Sequence, residues 1–445
     1  MAEAYTLERA WVGGAVRDQV VVEVEAGRFT RVDVGGGSAG TPLPGLTIPG
    51  LANCHSHAFH RALRGRTQRG GGTFWTWREQ MYALAGALDP RTYQALATAV
   101  FREMAAAGIT AVGEFHYLHH QPGGAPYGDP QQMDLVLVQA ARTVGVRLTL
   151  LDTCYLAAGF GEAPAGAQLR FGDDDADAWA ERFDDLVERL AEEPGVVVGA
   201  AVHSVRAVPA DQLATVAQAA AGRPLHVHLS EQPAENEACL AAHGLTPTGL
   251  LAERGVLGPL TTAVHATHLT DDDVALLGTS GTHACFCPTT ERDLADGVGP
   301  SRALHEAGSP LTLGSDSHAV VDLFEEMRAV ELHERLVSGR RGHWSAAELL
   351  DAATAVGHAS LGFADAGEIA VGRRADLVTL TTDGPATAGT GADEHTAVFA
   401  ATAADVVHVV ADGRVVHTAA QRPEVGALLA EAVAAAWQLV EEGAR

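Results

Sequence analysis

Histidines and carboxylates recur in this sequence where short apolar runs end. They fall in six places: His55-Ser56-His57, Glu114-Phe115-His116, His203, His228-Leu229-Ser230-Glu231, His265 and Asp316-Ser317-His318. Imidazole nitrogens and carboxylate oxygens bind divalent transition metals. The same groups transfer protons near neutral pH. The sequence therefore predicts a metal-dependent site built from segments that are far apart along the chain.

Four of these residues are the predicted metal ligands: His55, His57, His228 and Asp316. His55 and His57 are two positions apart on a predicted strand, so they share one face of it. The chain contains no lysine, which excludes a Schiff-base lysine, a P-loop lysine and a carboxylated lysine bridging two metals. We predict one divalent metal ion per chain, with Zn²⁺ as the best match to this nitrogen and oxygen set and Fe²⁺ as the alternative.

Three residues are the predicted catalytic groups: Glu231, His265 and Asp316. Glu231 lies three positions beyond His228, where it can reach the substrate or a metal-bound solvent molecule and move protons. Asp316 can accept a proton from that solvent, because a metal lowers the pKa of bound water toward about 7. His265 can orient the attacking oxygen and stabilise charge at a tetrahedral centre.

Eight apolar runs are the predicted strands of the middle of the chain. They are Leu51–His57, Thr110–Phe115, Arg147–Thr153, Val196–His203, Leu225–Ser230, Thr261–Thr267, Thr282–Pro288 and Pro310–Asp316. Ala- and Leu-rich helical stretches lie between them, as at Arg91–Ala107 and Ala176–Ala191. Strands that alternate with helices indicate a parallel sheet. Eight such units indicate an α/β protein with a (β/α)₈ TIM-like barrel, whose reactive groups lie at the carboxyl ends of the strands.

Both chain ends contain short runs of residues typical of β-strands, so we predict that together they form a small β-sandwich domain. The runs are Ala10–Val12, Val20–Val24, Phe29–Val34, Ala375–Leu380, Ala397–Ala401, Val406–Val410 and Gly413–His417, with a turn at Asp412-Gly413. The predicted boundaries are 1–48 for the first part of the sandwich, 49–365 for the metal-dependent barrel, 366–422 for the second part and 423–445 for a C-terminal helix.

Composition excludes several classes of protein. The chain has 445 residues, of which 47% are hydrophobic and 19% charged, with a net charge of −26. So acidic a chain is not expected to bind nucleic acid or an anionic membrane surface. The N-terminus shows no signal-peptide pattern and no long apolar stretch indicates a membrane span. The five cysteines do not form a disulfide pattern, so we expect free thiols and a cytoplasmic protein.

The motifs after the first, fifth and eighth strands resemble those of the amidohydrolase superfamily, and the resemblance covers essentially the whole chain. Within it, several segments are similar to formimidoylglutamate deiminases. They are His55-Ser56-His57-Ala58-Phe59, Phe74-Trp75-Thr76-Trp77-Arg78-Glu79, Glu114-Phe115-His116-Tyr117-Leu118-His119-His120 and His203-Ser204-Val205-Arg206-Ala207-Val208. The resemblance implies the metal and proton-transfer roles given above. It also implies hydrolysis of N-formimidoyl-L-glutamate to N-formyl-L-glutamate and ammonia, in histidine degradation.

The resemblance further implies a set of substrate contacts: His60, Arg78, Tyr117, His203 and Arg206. Arginine binds carboxylates through two parallel hydrogen bonds, and this small anionic substrate has two carboxylates. The family usually has Gln where this sequence has His60, and both side chains donate and accept hydrogen bonds. As partners we expect this substrate and a second copy of the chain in a homodimer.

Two alternatives remain open from the sequence. The first is a deaminase of an aminated purine, pyrimidine or triazine ring, which would use the same metal, Glu and His but an aromatic slot in place of two arginines. The second is a metal-binding protein without catalysis, for which a closed tetrahedral site is typical.

Overall fold

The computed structural model describes residues 3–68 and 74–443, and the side chains of Phe74 and Trp75 are outside the described part. The N-terminal segment forms four strands: β1 (Glu3–Val12), β2 (Ala15–Glu25), β3 (Arg28–Val34) and β4 (Thr41–Pro49). Three of them match the predicted β-rich runs. β4 contains Pro42, Pro44 and Gly45, residues that disfavour a strand in sequence reasoning, and it was not predicted.

The next eight strands form the barrel. They are β5 (Leu51–Ser56), β6 (Ile109–His116), β7 (Arg147–Cys154), β8 (Val196–Val202), β9 (Leu225–Leu229), β10 (Thr261–His265), β11 (His283–Phe286) and β12 (Leu311–Leu313). Neighbouring strands pair in parallel from β5 through to β12. A parallel bridge between Ser56 and Asp316 joins the first and last of them. All eight predicted strands are present, and the predicted (β/α)₈ barrel is confirmed.

Helices lie between the strands or follow the last of them, and most cover the outside of the barrel. They are α1 (Phe74–Ala87), α2 (Pro90–Ala106), α3 (Gln132–Val144), α4 (Ala176–Arg189), α5 (Leu213–Ala219), α6 (Pro233–His243), α7 (Pro247–Glu253), α8 (Asp271–Ser280), α9 (Pro288–Leu294), α10 (Ser301–Ala307), α11 (Leu323–Ser338), α12 (Ala346–Ala353), α13 (Ala355–Ser360), α14 (Glu394–Phe399) and α15 (Arg422–Gly443). Every residue of β6 and β7 is buried, as expected for strands covered on both faces.

The three last strands return to the N-terminal sheet: β13 (Leu377–Leu380), β14 (Val406–Ala411) and β15 (Arg414–Thr418). The seven-stranded order is β15-β14-β13-β4-β1-β2-β3, so β4 joins the two chain ends. The predicted association of both ends in one β domain is confirmed, as is the hairpin between β14 and β15.

One predicted β-rich run is wrong. Ala397–Ala401 overlaps the helix α14. Asp393 precedes this helix, and its carboxylate accepts hydrogen bonds from the backbone N–H groups of His395 and Thr396. Such an N-terminal cap satisfies backbone donors that a helix leaves unpaired, and it outweighs the strand preference of a short Ala/Val/Phe run.

The described helices include none that is both long and apolar enough to cross a membrane. All five cysteines are buried and free, as the sequence predicts. A buried ion pair connects the barrel to the terminal sheet. The guanidinium of Arg147, at the start of β7, binds the carboxylate of Asp376 beside β13 and that of Asp412 in the β14–β15 turn.

Candidate active site

The four predicted metal ligands meet at the carboxyl end of the barrel, where β5, β9 and β12 end. One ligand atom from each of His55, His57, His228 and Asp316 lies within 4.8 Å of the others. Asp316 Oδ1 is 3.3 Å from Nε2 of both His55 and His57. The Nε2 atoms of His55 and His228 are 3.1 Å apart. Ligands at about 2.0–2.1 Å in a tetrahedral zinc site are about 3.3 Å from each other, so this set fits a divalent metal.

Backbone carbonyls fix the protonation of two of these imidazoles. Nδ1 of His57 is 3.0 Å from the carbonyl oxygen of Phe115, and Nδ1 of His228 is 2.9 Å from that of His203. A carbonyl oxygen only accepts, so each Nδ1 donates its proton. Each Nε2 therefore keeps its lone pair, which is the usual arrangement for a metal-ligating histidine.

Close contact between the last strand and the first positions Asp316. The backbone N–H groups of Ser315 and Asp316 both donate to the carbonyl oxygen of His55, at 3.1 and 3.0 Å. A Cβ at Gly314 would lie 2.8 Å from atoms of His55, so only glycine permits this approach.

Five non-glycine residues at or just beyond the strand ends have positive φ angles: Ser230, His265, Ala266, Asp316 and His318, with φ between 39° and 70°. Left-handed backbone is unfavourable for such residues, and it concentrates where a structure must aim functional groups. Two of the five, His265 and Asp316, are predicted catalytic residues.

The three predicted catalytic groups face one another beside the metal ligands. His265 Nε2 is 3.8 Å from Glu231 Oε1 and 3.7 Å from Asp316 Oδ2. Burial opposes a charge on His265, but the carboxylates of Glu231, Glu291 and Asp316 outweigh it and raise the pKa of His265 well above its usual range. Burial alone would raise the pKa of Asp316, but His55 and His57 beside it hold that pKa well below its usual range.

All five predicted substrate contacts line one cavity above these groups: His60, Arg78, Tyr117, His203 and Arg206. His57, His228, Glu231, His265 and Asp316 line the same cavity. His60 Nε2 lies 2.9 Å from the hydroxyl of Tyr117. The guanidinium of Arg78 lies 5.3 Å above the ring of Tyr82. Arg206 Nε is 3.7 Å from the buried carboxylate of Glu235. The structure therefore brings both arginines to the cavity that three of the four predicted metal ligands, His57, His228 and Asp316, also line.

Residues 46–416 match the model of the amidohydrolase family. This chain belongs to the amidohydrolase family. The family and the deiminase relative described next show a hydrolase acting on C–N bonds, so the non-catalytic alternative no longer applies.

Three relatives illustrate this amidohydrolase's place in the family. The chain is 39% identical over 359 residues to formimidoylglutamate deiminase of Pseudomonas aeruginosa, covering 77% of this chain and 78% of that protein. It is 30% identical over 409 residues to 5-methylthioadenosine/S-adenosylhomocysteine deaminase of Halobacterium salinarum, covering 89% and 87%. The crystal structure of an amidohydrolase from Brucella melitensis superposes with a TM-score of 0.89 at 30% identity, covering 98% and 100%. The similarity to formimidoylglutamate deiminases is confirmed.

Sequence reasoning on this amidohydrolase missed Glu291. Its Oε1 lies 3.4 Å from Nδ1 of His265 and accepts a hydrogen bond from the backbone N–H of Cys287 at 2.9 Å. Burial raises the pKa of Glu291, and the His265 imidazole opposes that effect. Glu291 therefore orients His265 from the side opposite Glu231. It belongs to α9, which follows a different strand, and no local motif marks it.

Gln168 was missed as well. Its Nε2 donates to the hydroxyls of Tyr155 at 2.7 Å and Tyr82 at 3.2 Å, while its Oε1 accepts from the backbone N–H of Ala165 at 3.2 Å. Both tyrosines line the cavity. One amide therefore fixes two hydroxyls near Arg78 and Arg206. No sequence motif identifies Gln168 as a residue of the site, because it lies in a short 3₁₀ turn.

Proposed function

We propose that this amidohydrolase hydrolyses N-formimidoyl-L-glutamate to N-formyl-L-glutamate and ammonia, in histidine degradation. The observation that carries the proposal is the presence of Arg78 and Arg206 in the same cavity as the metal-ligating set. A substrate with two carboxylates needs two such cations, above all in a chain of net charge −26. The relative named formimidoylglutamate deiminase, with 39% identity, supports this choice.

Water oxygen adds to the amidine carbon of the substrate, and the bond from that carbon to the terminal nitrogen then breaks. A divalent metal held by His55, His57, His228 and Asp316 would supply Lewis acidity and lower the pKa of water toward about 7. Glu231 takes one proton of the water and passes it to the terminal nitrogen. As the new hydroxyl becomes the formyl carbonyl, Asp316 takes the second proton and returns it to the departing nitrogen, which leaves as ammonia. His265, held between Glu231 and Glu291, stabilises the charge that develops on the carbon's new oxygen substituent.

We further propose that the catalytic metal is a single Zn²⁺, with Fe²⁺ as the alternative, because the set comprises three imidazole nitrogens and one carboxylate oxygen. The enzyme is proposed to be a cytoplasmic homodimer. Sedimentation of the purified chain, at concentrations around the assay concentration, tests the dimer. A single species of monomer mass would contradict it.

A ring deaminase is the second candidate. The 30% identical 5-methylthioadenosine/S-adenosylhomocysteine deaminase favours it, as do the aromatic side chains of Trp77, Tyr82 and Phe171 along the cavity. Turnover of 5-methylthioadenosine, guanine and N-formimidoyl-L-glutamate by one enzyme preparation separates the candidates. Preference for a ring substrate would overturn the main proposal.

The deciding experiment compares kcat/KM for two substrates in Arg206→Met. Truncating the arginine leaves a substrate carboxylate without its charged partner, which costs about 2–5 kcal/mol, or roughly 30-fold to several-thousand-fold. The loss should be large for N-formimidoyl-L-glutamate and much smaller for N-formimidoyl-4-aminobutyrate, which lacks one carboxylate.

Arg78→Met should show the same selective loss when the analogue lacks whichever of the two carboxylates Arg78 contacts. Arg223→Met is the matched control, because Arg223 donates to the carbonyl of Val198 away from the cavity. Arg206 also neutralises buried Glu235, so a structural effect of its loss would act on both substrates alike. Equal losses on both substrates in both the Arg206 and the Arg78 variant would contradict the diacid proposal.

A further inference from the structure

Three fully buried residues outside the catalytic cavity form a second group of potential metal ligands. His116 is the last residue of β6, His119 follows three positions later, and Asp134 lies in the first turn of α3. None of these three residues is more than 1% exposed. One ligand atom from each lies within 4.8 Å of the other two.

Most polar atoms of this group lack a hydrogen-bond partner among the described residues. Both ring nitrogens of His116, Nδ1 of His119 and both carboxylate oxygens of Asp134 are buried without such a bond. A buried polar atom left unpaired is costly, because it has given up its hydrogen bonds to water. One bound ion would contact one atom of each residue and so would give three of these five atoms a partner.

The protonation of His119 matches that of a metal ligand. Its Nε2 is 3.0 Å from the carbonyl oxygen of Thr153, so Nε2 donates and Nδ1 carries a lone pair. Burial lowers the pKa values of His116 and His119 well below the usual range, which keeps both rings neutral. A tautomer fixed by a carbonyl oxygen also occurs at His57 and His228 in the catalytic set.

The spacing also matches. His116 Nε2 is 3.4 Å from Asp134 Oδ1 without the alignment of a hydrogen bond, as expected for two ligands that point at a common third atom. This separation is close to the distance of about 3.3 Å between two ligand atoms of a tetrahedral zinc site. A fourth oxygen is near, since Asp152 Oδ2 is 4.0 Å from His119 Nδ1. Asp152 is itself held by Trp179 and Arg182.

We propose that His116, His119 and Asp134 bind a structural divalent metal ion of the zinc type, with Asp152 or a water molecule as the fourth ligand. Two nitrogens and one or two carboxylate oxygens suit Zn²⁺, and the burial of all three ligands is typical of a closed structural site. The chain would then hold two metal ions rather than the one that the sequence predicts.

The role of this metal follows from its position. Tyr117 lies between the two histidine ligands in sequence, and its hydroxyl contacts His60 in the catalytic cavity. A metal that joins the end of β6 to α3 would fix the backbone on both sides of Tyr117. The bound metal would therefore hold the wall of the substrate cavity that contains Tyr117 in place.

The test measures metal content and metal position. Protein purified without added metal, after dialysis, should contain two equivalents of metal by mass spectrometry. Asp134→Asn and His119→Gln should each retain one equivalent, and His57→Gln should lose the other. His226→Gln is the matched control, because His226 is equally buried and belongs to neither group; it should retain both.

Anomalous diffraction at the zinc edge from wild-type crystals requires no variant and should show a peak between His116, His119 and Asp134. One equivalent in the wild-type protein, or no anomalous peak at this cluster, would overturn the proposal, and a shared proton or a water would then account for the cluster. Because His57→Gln addresses the catalytic set alone, failure of the second site leaves the proposed function intact.

Discussion

At the scale of single residues, neighbouring acceptors decide which ring nitrogen of each histidine in the site carries the proton. The carbonyls of Phe115 and His203 set the tautomers of His57 and His228. Glu291 performs a related task for His265, because it is the carboxylate on the Nδ1 side. The Nε2 of His265 is consequently directed at Glu231 and Asp316, where proton transfer is proposed.

Glu231→Gln should keep the metal and the substrate affinity but lose turnover. The amide preserves the shape of the side chain and removes its basicity, and a positioned acid–base group contributes typically ~10²–10⁴-fold. Steady-state kinetics and metal analysis on the same preparation measure both quantities. Glu237→Gln, an exposed change on the helix α6 that follows, is the control. If Glu231→Gln retained more than a tenth of the wild-type rate, Glu231 would be excluded as the proton shuttle.

Glu114 should make stability depend on pH. Burial raises the pKa of Glu114 to about 8, against the hydrogen bonds from Ser56 and the Ala58 N–H. The folded state therefore binds a proton that the unfolded chain releases above its ordinary value of 4.5. The resulting stabilisation is complete below pH 4.5 and is lost as the pH rises through about 8.

In Glu114→Gln this loss should be absent, since a neutral amide replaces a group that the fold keeps neutral. Urea unfolding of both proteins at several pH values between about 5 and 8 should show the variant gaining relative to wild type as the pH rises, by about 1.4 kcal/mol for each pH unit. Glu25→Gln, on the exposed end of β2, is the control. Parallel pH profiles would show that Glu114 is ionised in the folded protein.

At the scale of elements, buried charges join the barrel to the terminal sheet, and Arg147 is central among them. It is 1% exposed and binds both Asp376 and Asp412, which belong to the C-terminal part of the sheet. Since Asp376 is equally buried, its charge depends on this arginine: burial would raise the pKa of Asp376, but Arg147 lowers it below its usual value.

Arg147→Met should lower the free energy of unfolding by about 3–5 kcal/mol, because it leaves a buried carboxylate without its partner. Arg142→Met is the comparison, since Arg142 is 57% exposed and pairs with Glu193; removing an exposed pair costs about 0–1 kcal/mol. Urea denaturation of both variants measures the difference. Similar losses in the two would mean that the Arg147 contacts do not couple the sheet to the barrel.

At the scale of the whole molecule, the candidate metal centre connects strands from opposite ends of the barrel sequence. β5 and the residue after it supply two ligands, β9 one and the segment after β12 the fourth. Closure of the barrel and assembly of the site are therefore one event, and a bound metal stabilises the folded state alone.

A zinc chelator should abolish activity and lower the melting temperature, and Zn²⁺ added back should restore both. A free Zn²⁺ concentration 100 times its Kd raises the free energy of unfolding by about 2.7 kcal/mol. Activity assays and calorimetry on chelated and reconstituted protein measure the two effects. Full activity after prolonged chelation would contradict a metal-dependent mechanism at His55, His57, His228 and Asp316.

The sequence by itself determined the barrel, and it predicted the ligand set that the structure brings together. Alternation of apolar runs with helical stretches is a local pattern, and His55 and His57 share a face because the strand period is two. Tyr117, Arg78 and Arg206 were assigned through family resemblance, and the structure places them in the predicted cavity. The local pattern did not predict β4, because its prolines are unusual in a strand that pairs with a neighbour on each side. It predicted a strand where α14 forms, because the N-terminal cap that favours the helix is not part of the apolar pattern.

Only the tertiary structure decided which distant side chains meet. Glu291 reaches His265 from α9, Gln168 holds two tyrosines from other segments, and Asp134 approaches His116 from α3. These contacts depend on how strands and helices pack around a closed barrel, and no spacing along the chain encodes a distance between them. Hydrogen-bond partners, tautomers and shifted pKa values follow from that packing, because each depends on burial and on neighbours that are remote in sequence.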